Sequence, residues 1–235
     1  MKKLLYITIV AVLTNVACAA SGSIDVGFKS KLIDQGTVTG VNFITASAGF
    51  EVASFGLNAD TYNTFEMSDA GARKGMFKRV DVTASYNFTS ALADLTFGAV
   101  YRNASKTAAF NNVRDNVLPF AKLHGNAFKV LPWDVTLTND VKNRTNNIEG
   151  HLKLPLPVGV KNLKLVPSVG LGFNDPGTTT VAALKNVKKY GVGGVGATYA
   201  VFSGEFYANG YVHRPDLSNN RGQVTSYDAG YRIKF

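Results

Sequence analysis

From residue 79 to 88 the chain reads RVDVTASYNF, with Val80, Val82, Ala84, Tyr86 and Phe88 at one parity and Arg79, Asp81, Thr83, Ser85 and Asn87 at the other. A two-residue period puts the two sets on opposite faces of an extended strand, one apolar and one wet. The pattern recurs along the chain. It predicts strands over 23–32, 42–51, 54–63, 78–88, 93–103, 117–126, 132–141, 146–154, 163–173, 190–200, 204–213 and 224–235. Each comes close to the ~9–11 residues that a tilted strand needs to cross hydrocarbon.

The links between these strands sort by side. Those on the side away from the first strand's start are 33–41, 64–77, 104–116, 142–145, 174–189 and 214–223; those on the near side are 52–53, 89–92, 127–131, 155–162 and 201–203. Five of the six far links exceed every near link. Long loops on one side and short turns on the other are how outer-membrane barrels are built, whereas a soluble sandwich, which gives the same alternation, has no reason to sort its loops. The expected fold is all-β: one closed antiparallel transmembrane barrel, with twelve strands favoured and ten the alternative count.

The faces agree with that reading. Leu163, Leu165, Val169, Leu171 and Phe173 share one face of their strand, opposite Lys164, Ser168, Gly170, Gly172 and Asn174. Small and polar residues behind an apolar face suit a wet lumen. An unpaired backbone group in lipid costs several kcal/mol, so only a closed sheet is tolerable there. Tyr62, Tyr86, Tyr101, Tyr190, Tyr199, Tyr211 and Tyr227 fall near strand ends, where phenols can form a girdle at headgroup level.

Parity places ten acids and seven bases on the inner face, a mixed lining whose charges need water or each other. Arg79, Asp81, Arg102, Asp134, Glu149, Lys153, Lys164 and Arg232 are the candidate lumen residues, with Lys153 and Lys164 the candidates for an anion preference.

The N-terminus reads as export machinery. Lys2 and Lys3 precede an apolar run from Leu4 to Leu13, and small residues follow at Ala17 to Ala20, so residues 1–19 are expected to be a signal peptide cut near 19–20, leaving 20–235 as the barrel. Cys18 is the only cysteine, so the cut chain holds no disulfide. Removing Lys2 and Lys3 from 25 bases leaves 23 against 16 acids, a balance near +7. With no basic helix or compact basic block, that surplus does not indicate nucleic acid. It falls in the far links, at Arg73, Lys74, Lys78, Lys106, Arg114, Lys185, Lys188, Lys189 and Arg221, where it can meet lipopolysaccharide phosphates or simply keep loops soluble.

The last residues are DAGYRIKF, and Asp228, Gly230, Tyr231, Ile233 and Phe235 resemble the C-terminal signal read by the bacterial barrel assembly machinery. The chain also resembles the TorF-like porin family, whose members open with a strand followed by Ser-x-Tyr-x-x-Arg-Gly. Ser30 and Gly36 match, Leu32 stands for the tyrosine and Gln35 for the arginine, and Asp81 with Tyr86 matches the family's later Asp-x4-Tyr. The resemblance implies a small outer-membrane barrel of a Gram-negative cell with a diffusion role, and carries no catalytic residue.

Candidate chemistry is sparse. His124, His151 and His213 stand at no metal-ligand spacing, and no cofactor motif is present: Gly191 to Gly196 lies within a strand pattern, and Asp175-Pro176-Gly177 reads as a turn. His213 beside the loop carrying Ser218 is the least implausible Ser–His pair, and His151 points inward with Glu149 and Lys153. The function read from these residues is an outer-membrane porin, not an enzyme, passing small hydrophilic solutes or ions, with lipid and lipopolysaccharide as surroundings. Two readings stay open: a non-conducting structural or surface-interaction barrel, and more remotely a lipid hydrolase. No segment marks an oligomer interface.

Overall fold

The computed structural model describes residues 20–34, 37–64, 78–90, 93–104, 115–127, 130–175, 189–215, 217 and 222–235. Residues 1–19, and most of the basic far-link residues, lie outside them. The described residues form twelve strands: β1 (Ala20–Asp34), β2 (Thr37–Val52), β3 (Phe55–Thr64), β4 (Lys78–Thr89), β5 (Asp94–Ala104), β6 (Asn116–Ala127), β7 (Leu131–Asp140), β8 (Thr145–Lys153), β9 (Leu163–Asp175), β10 (Lys189–Val201), β11 (Gly204–Arg214) and β12 (Val224–Lys234). They pair antiparallel in chain order, and β1 closes on β12. No edge is left to template aggregation or to strand backbone groups in lipid.

The distribution of side chains is that of a soluble protein turned inside out. On β4, Val80, Tyr86 and Phe88 are exposed while Arg79 and Asp81 are buried at 6% and 5%. Val26, Phe28, Phe97, Val135, Leu171, Val195 and Phe206 continue the exposed apolar surface around the barrel. An apolar exterior of that extent is covered by something other than water; with charges inside and a closed sheet, the cover is lipid. The protein is a transmembrane β-barrel of the outer-membrane type.

One expected link is corrected. The first far link, read as 33–41, shrinks to 35–36, because β1 runs on to Asp34 and β2 begins at Thr37. Thr37, Val38, Thr39 and Val41 are β-branched and favour extended backbone, and a register shift between Leu32 and Ile33 takes up the slack. On the near side, Ala53–Ser54 and Phe202–Ser203 are two-residue turns, with Ala53 and Phe202 at positive φ. The 154–162 link is longer. Its first half stays bonded to β9, with Leu154 and Leu156 donating to the carbonyls of Pro167 and Leu165 at 2.8 Å each. Pro155 and Pro157 alternate with these donors and face the side that has no strand to bond.

The seam between β1 and β12 is tied at several levels. Gly22 and Phe235 exchange backbone hydrogen bonds of 2.6 and 3.0 Å, and the Ser30 hydroxyl accepts from the Tyr227 amide at 2.8 Å. Arg232 on β12 donates to Asp25 on β1 at 3.0 Å, and the Tyr207 hydroxyl on β11 reaches across β12 to the same carboxylate at 2.8 Å. The tyrosine can lie there because Gly27 and Gly230 are beneath it; a Cβ on either would come 2.5 Å from its oxygen. Of the other tail residues, Asp228 pairs with Lys29 at 4.0 Å, Tyr231 packs its ring 4.7 Å from that of Phe206, and Ile233 and Phe235 are exposed.

Phe235 thus holds the end of the seam through its backbone, while Lys234 contributes a rim ion pair to Glu205 at 3.2 Å. Deleting Phe235 is expected to lower the yield of folded, heat-modifiable barrel in outer membranes far more than Lys234→Gln does. Equal yields would count against the tail as an assembly signal.

Candidate pore lumen

The strand register orders the inner wall. Around the middle of the barrel, Asp25 faces Arg232 and Ser47, Ser47 faces Asp60, Asp60 faces Asp81, and Asp81 faces Arg102. The eight sequence-derived lumen residues do not share one environment. Arg79, Asp81 and Arg102 form a buried triad: the Nε of Arg79 lies 2.9 Å from Asp81 and that of Arg102 lies 3.2 Å from it. Two guanidiniums on one carboxylate leave the triad with a formal charge of +1. Asp134 receives Lys153 at 3.2 Å and Lys122 at 3.8 Å. Glu149 accepts from Tyr190 and contacts His151. Arg232 bridges Asp25 and Glu205, the latter at 3.4 Å. Lys164 sits at the near rim beside Thr198 in the register.

Among the described residues, the buried inward side chains concentrate on β4 to β9. Beside the triad lie Leu118, Asn116 and Asp140, with Asn116 and Asn143 both donating to Asp140 at 2.8 Å, followed by Thr145, Asn147 and Asn174. Leu32, Phe43 and Ala104, with Tyr62 against them, add an apolar cluster at the far end of β1 to β5. These groups fill that part of the interior and the polar ones pair with one another, except for the Asn174 amide, whose nitrogen and oxygen are buried with no hydrogen-bond partner among the described residues.

The rest is open. A near cavity of about 570 Å³ shares Ser47, Asp60 and Arg232 with a middle cavity of about 210 Å³. The middle cavity shares Lys29 and Asp228 with a far cavity of about 210 Å³. Shared walls make the three a series running up one side of the lumen, along β1 to β3 and β10 to β12, with Ser85 and Asn87 of β4 bordering the near one and Glu149 and His151 of β8 closing the far one. Lys153 and Lys164 line none of these three cavities, so the residues first singled out for anion preference stand apart from this path.

Several expected placements change. Tyr62, Tyr190 and Tyr211 point inward rather than into a girdle: Tyr62 lies under Arg79 with its ring 5.2 Å from the guanidinium carbon, Tyr190 bonds Asn147 at 3.0 Å, and Tyr211 lines the far cavity. Tyr86, Tyr101, Tyr199 and Tyr227 are exposed on the outer wall. His213 contacts Ser226, at 2.9 Å, and that hydroxyl is buried inside the barrel. Ser218 lies outside the described residues. A Ser–His pair acting on membrane lipid would need to face lipid, and this one faces the lumen. Among the described residues no group of three His, Cys, Asp or Glu is placed to hold a metal. Lys31, Lys122 and Asn209 are not among the residues that the sequence singles out, although all three share the parity of inward neighbours.

The sequence matches no family model and no curated protein. Solved structures are similar in fold. The KdgM porin in complex with disordered oligogalacturonate has a TM-score of 0.59 at 12% identity, over 92% of this chain and 99% of that one. The NanC porin has a TM-score of 0.53 at 11% identity, over 91% and 100%. LpxR from Salmonella typhimurium has a TM-score of 0.53 at 8% identity, over 91% and 99%. At such identities the likeness is one of architecture. This chain has the fold of known outer-membrane barrels, porins among them.

Proposed function

We propose that the protein resides in the bacterial outer membrane as a channel for passive diffusion of small hydrophilic solutes and ions, and that it is of the TorF-like porin kind. The observation that carries the reading is the series of polar cavities with shared walls. A barrel meant only as an anchor has no need to leave one side of its interior open while packing the other. Two similar folds described as porins support it, as do Ser30, Asp81 and Tyr86 at the positions of the TorF-like motif. Residues 1–19 would deliver the chain across the inner membrane, and the assembly machinery would read its tail. The basic far links would meet lipopolysaccharide.

The middle and far cavities, at about 210 Å³ each, favour small solutes. Refolded protein in a planar bilayer is expected to give steady conductance steps. Silence from protein that is folded and heat-modifiable would replace this reading with the non-conducting barrel, for which the packed Arg79–Asp81–Arg102 side is the supporting feature.

A further inference from the structure

Resting on the channel reading, we propose that the middle cavity selects small solutes that carry an ammonium group and a carboxylate together, holding them between Asp60 and Lys29. Asp60 lines both the near and the middle cavities, and it accepts a hydrogen bond from the side-chain amide of Asn58 at 2.7 Å. No ion pair to it is found among the described residues. Every other inward acid that borders this cavity is engaged with a base: Asp25 by Arg232 at 3.0 Å and Asp228 by Lys29 at 4.0 Å. Across the β3–β4 pair Asp60 faces Asp81, whose carboxylate is already held by two guanidiniums. The Asp60 carboxylate is thus left to accept from the lumen.

Lys29 is the complementary group. It borders the middle and far cavities, and its one ion pair among the described residues is long, 4.0 Å, to an Asp228 that already accepts from Asn209. Turning toward a solute carboxylate loses little. The cavity, at about 210 Å³, lies below the ~300 Å³ where pockets for drug-sized ligands begin, which suits a molecule of a few heavy atoms.

The same cavity argues against a sugar. A sugar ring is gripped by an open aromatic face, and the two tyrosines here have theirs occupied: Arg232 lies 5.4 Å from the Tyr207 ring and Arg79 lies 5.2 Å from the Tyr62 ring. What the wall offers is paired opposite charge, and a dipolar ion satisfies both signs at once. A simple anion meets Asp60, and a simple cation meets Lys29 and Arg232.

The test is swelling of liposomes containing the refolded full barrel, with glycine, a neutral polyol of similar mass, acetate and methylammonium as separate solutes, and ionic conductance measured alongside. Glycine is expected to enter faster than the polyol. Asp60→Asn and Lys29→Gln are each expected to slow glycine roughly two- to five-fold, the scale of a solvent-accessible ion pair, with polyol entry unchanged. Both variants are first checked for a heat-modifiable band. If the barrel conducts but glycine has no advantage, or neither folded variant alters it, the selectivity proposal fails and the channel stands. If neither solutes nor ions pass, both readings fail together.

Discussion

Asp81→Ala is expected to destabilise the barrel by about 3–5 kcal/mol, the cost of removing one partner from a buried charge pair. It would appear as loss of the compact electrophoretic form at a temperature well below that of wild type. The residue is 5% exposed and bound by two guanidiniums that are themselves buried, so its removal takes a carboxylate from two positive charges held away from water. Asp134→Ala provides the contrast. Its partners Lys122 and Lys153 are 38% and 45% exposed, so both ammonium groups can turn to water and the loss should stay near 1 kcal/mol or less. Equal losses in the two variants would show that the triad is not a packed, dry unit.

The second large effect is expected at Gly230. Alanine there puts a methyl group 2.5 Å from the Tyr207 hydroxyl and 2.6 Å from the Val26 carbonyl across the seam, and overpacking of this kind costs about 1–3 kcal/mol. Because the clash lies where β12 must meet β1, the folded yield should fall more than the stability of barrels that do close. Gly210→Ala is the matched control, since its Cβ would meet nothing within 4 Å. A Gly230→Ala barrel that assembles like wild type would mean that the tail glycine has no packing role.

Alternation was sufficient to read the barrel because in a closed sheet between lipid and water every strand carries the same two-faced pattern. Arg79 and Asp81 against Val80 and Val82 is a local signal, and it needs no knowledge of neighbours. The failures occur where that signal is blurred. In β10 the inward set contains Tyr190, Val192, Gly194 and Gly196 and the outward set Gly191, Gly193 and Val195, so polarity does not separate the faces and nothing local marks Tyr190 as inward. The bulge between Leu32 and Ile33 similarly hid the short first link. Which inward charges pair, and which half of the lumen stays open, depends on contacts across strands such as Tyr207 to Asp25, separated by most of the chain. No local pattern carries that information.

The central claim is that solutes pass along the β1–β3 and β10–β12 side. Cys18 is the only cysteine, so a chain expressed from residue 20 takes a single reporter thiol. Ser47 lies on the wall shared by the near and middle cavities, whereas Thr138 is inward on the packed side, next to Asn147 in the register. Single-channel recording of Ser47→Cys before and after a bulky thiol reagent tests the path directly. The conductance steps should shrink or vanish for Ser47→Cys and persist for Thr138→Cys. Undiminished steps through fully labelled Ser47→Cys barrels would contradict it.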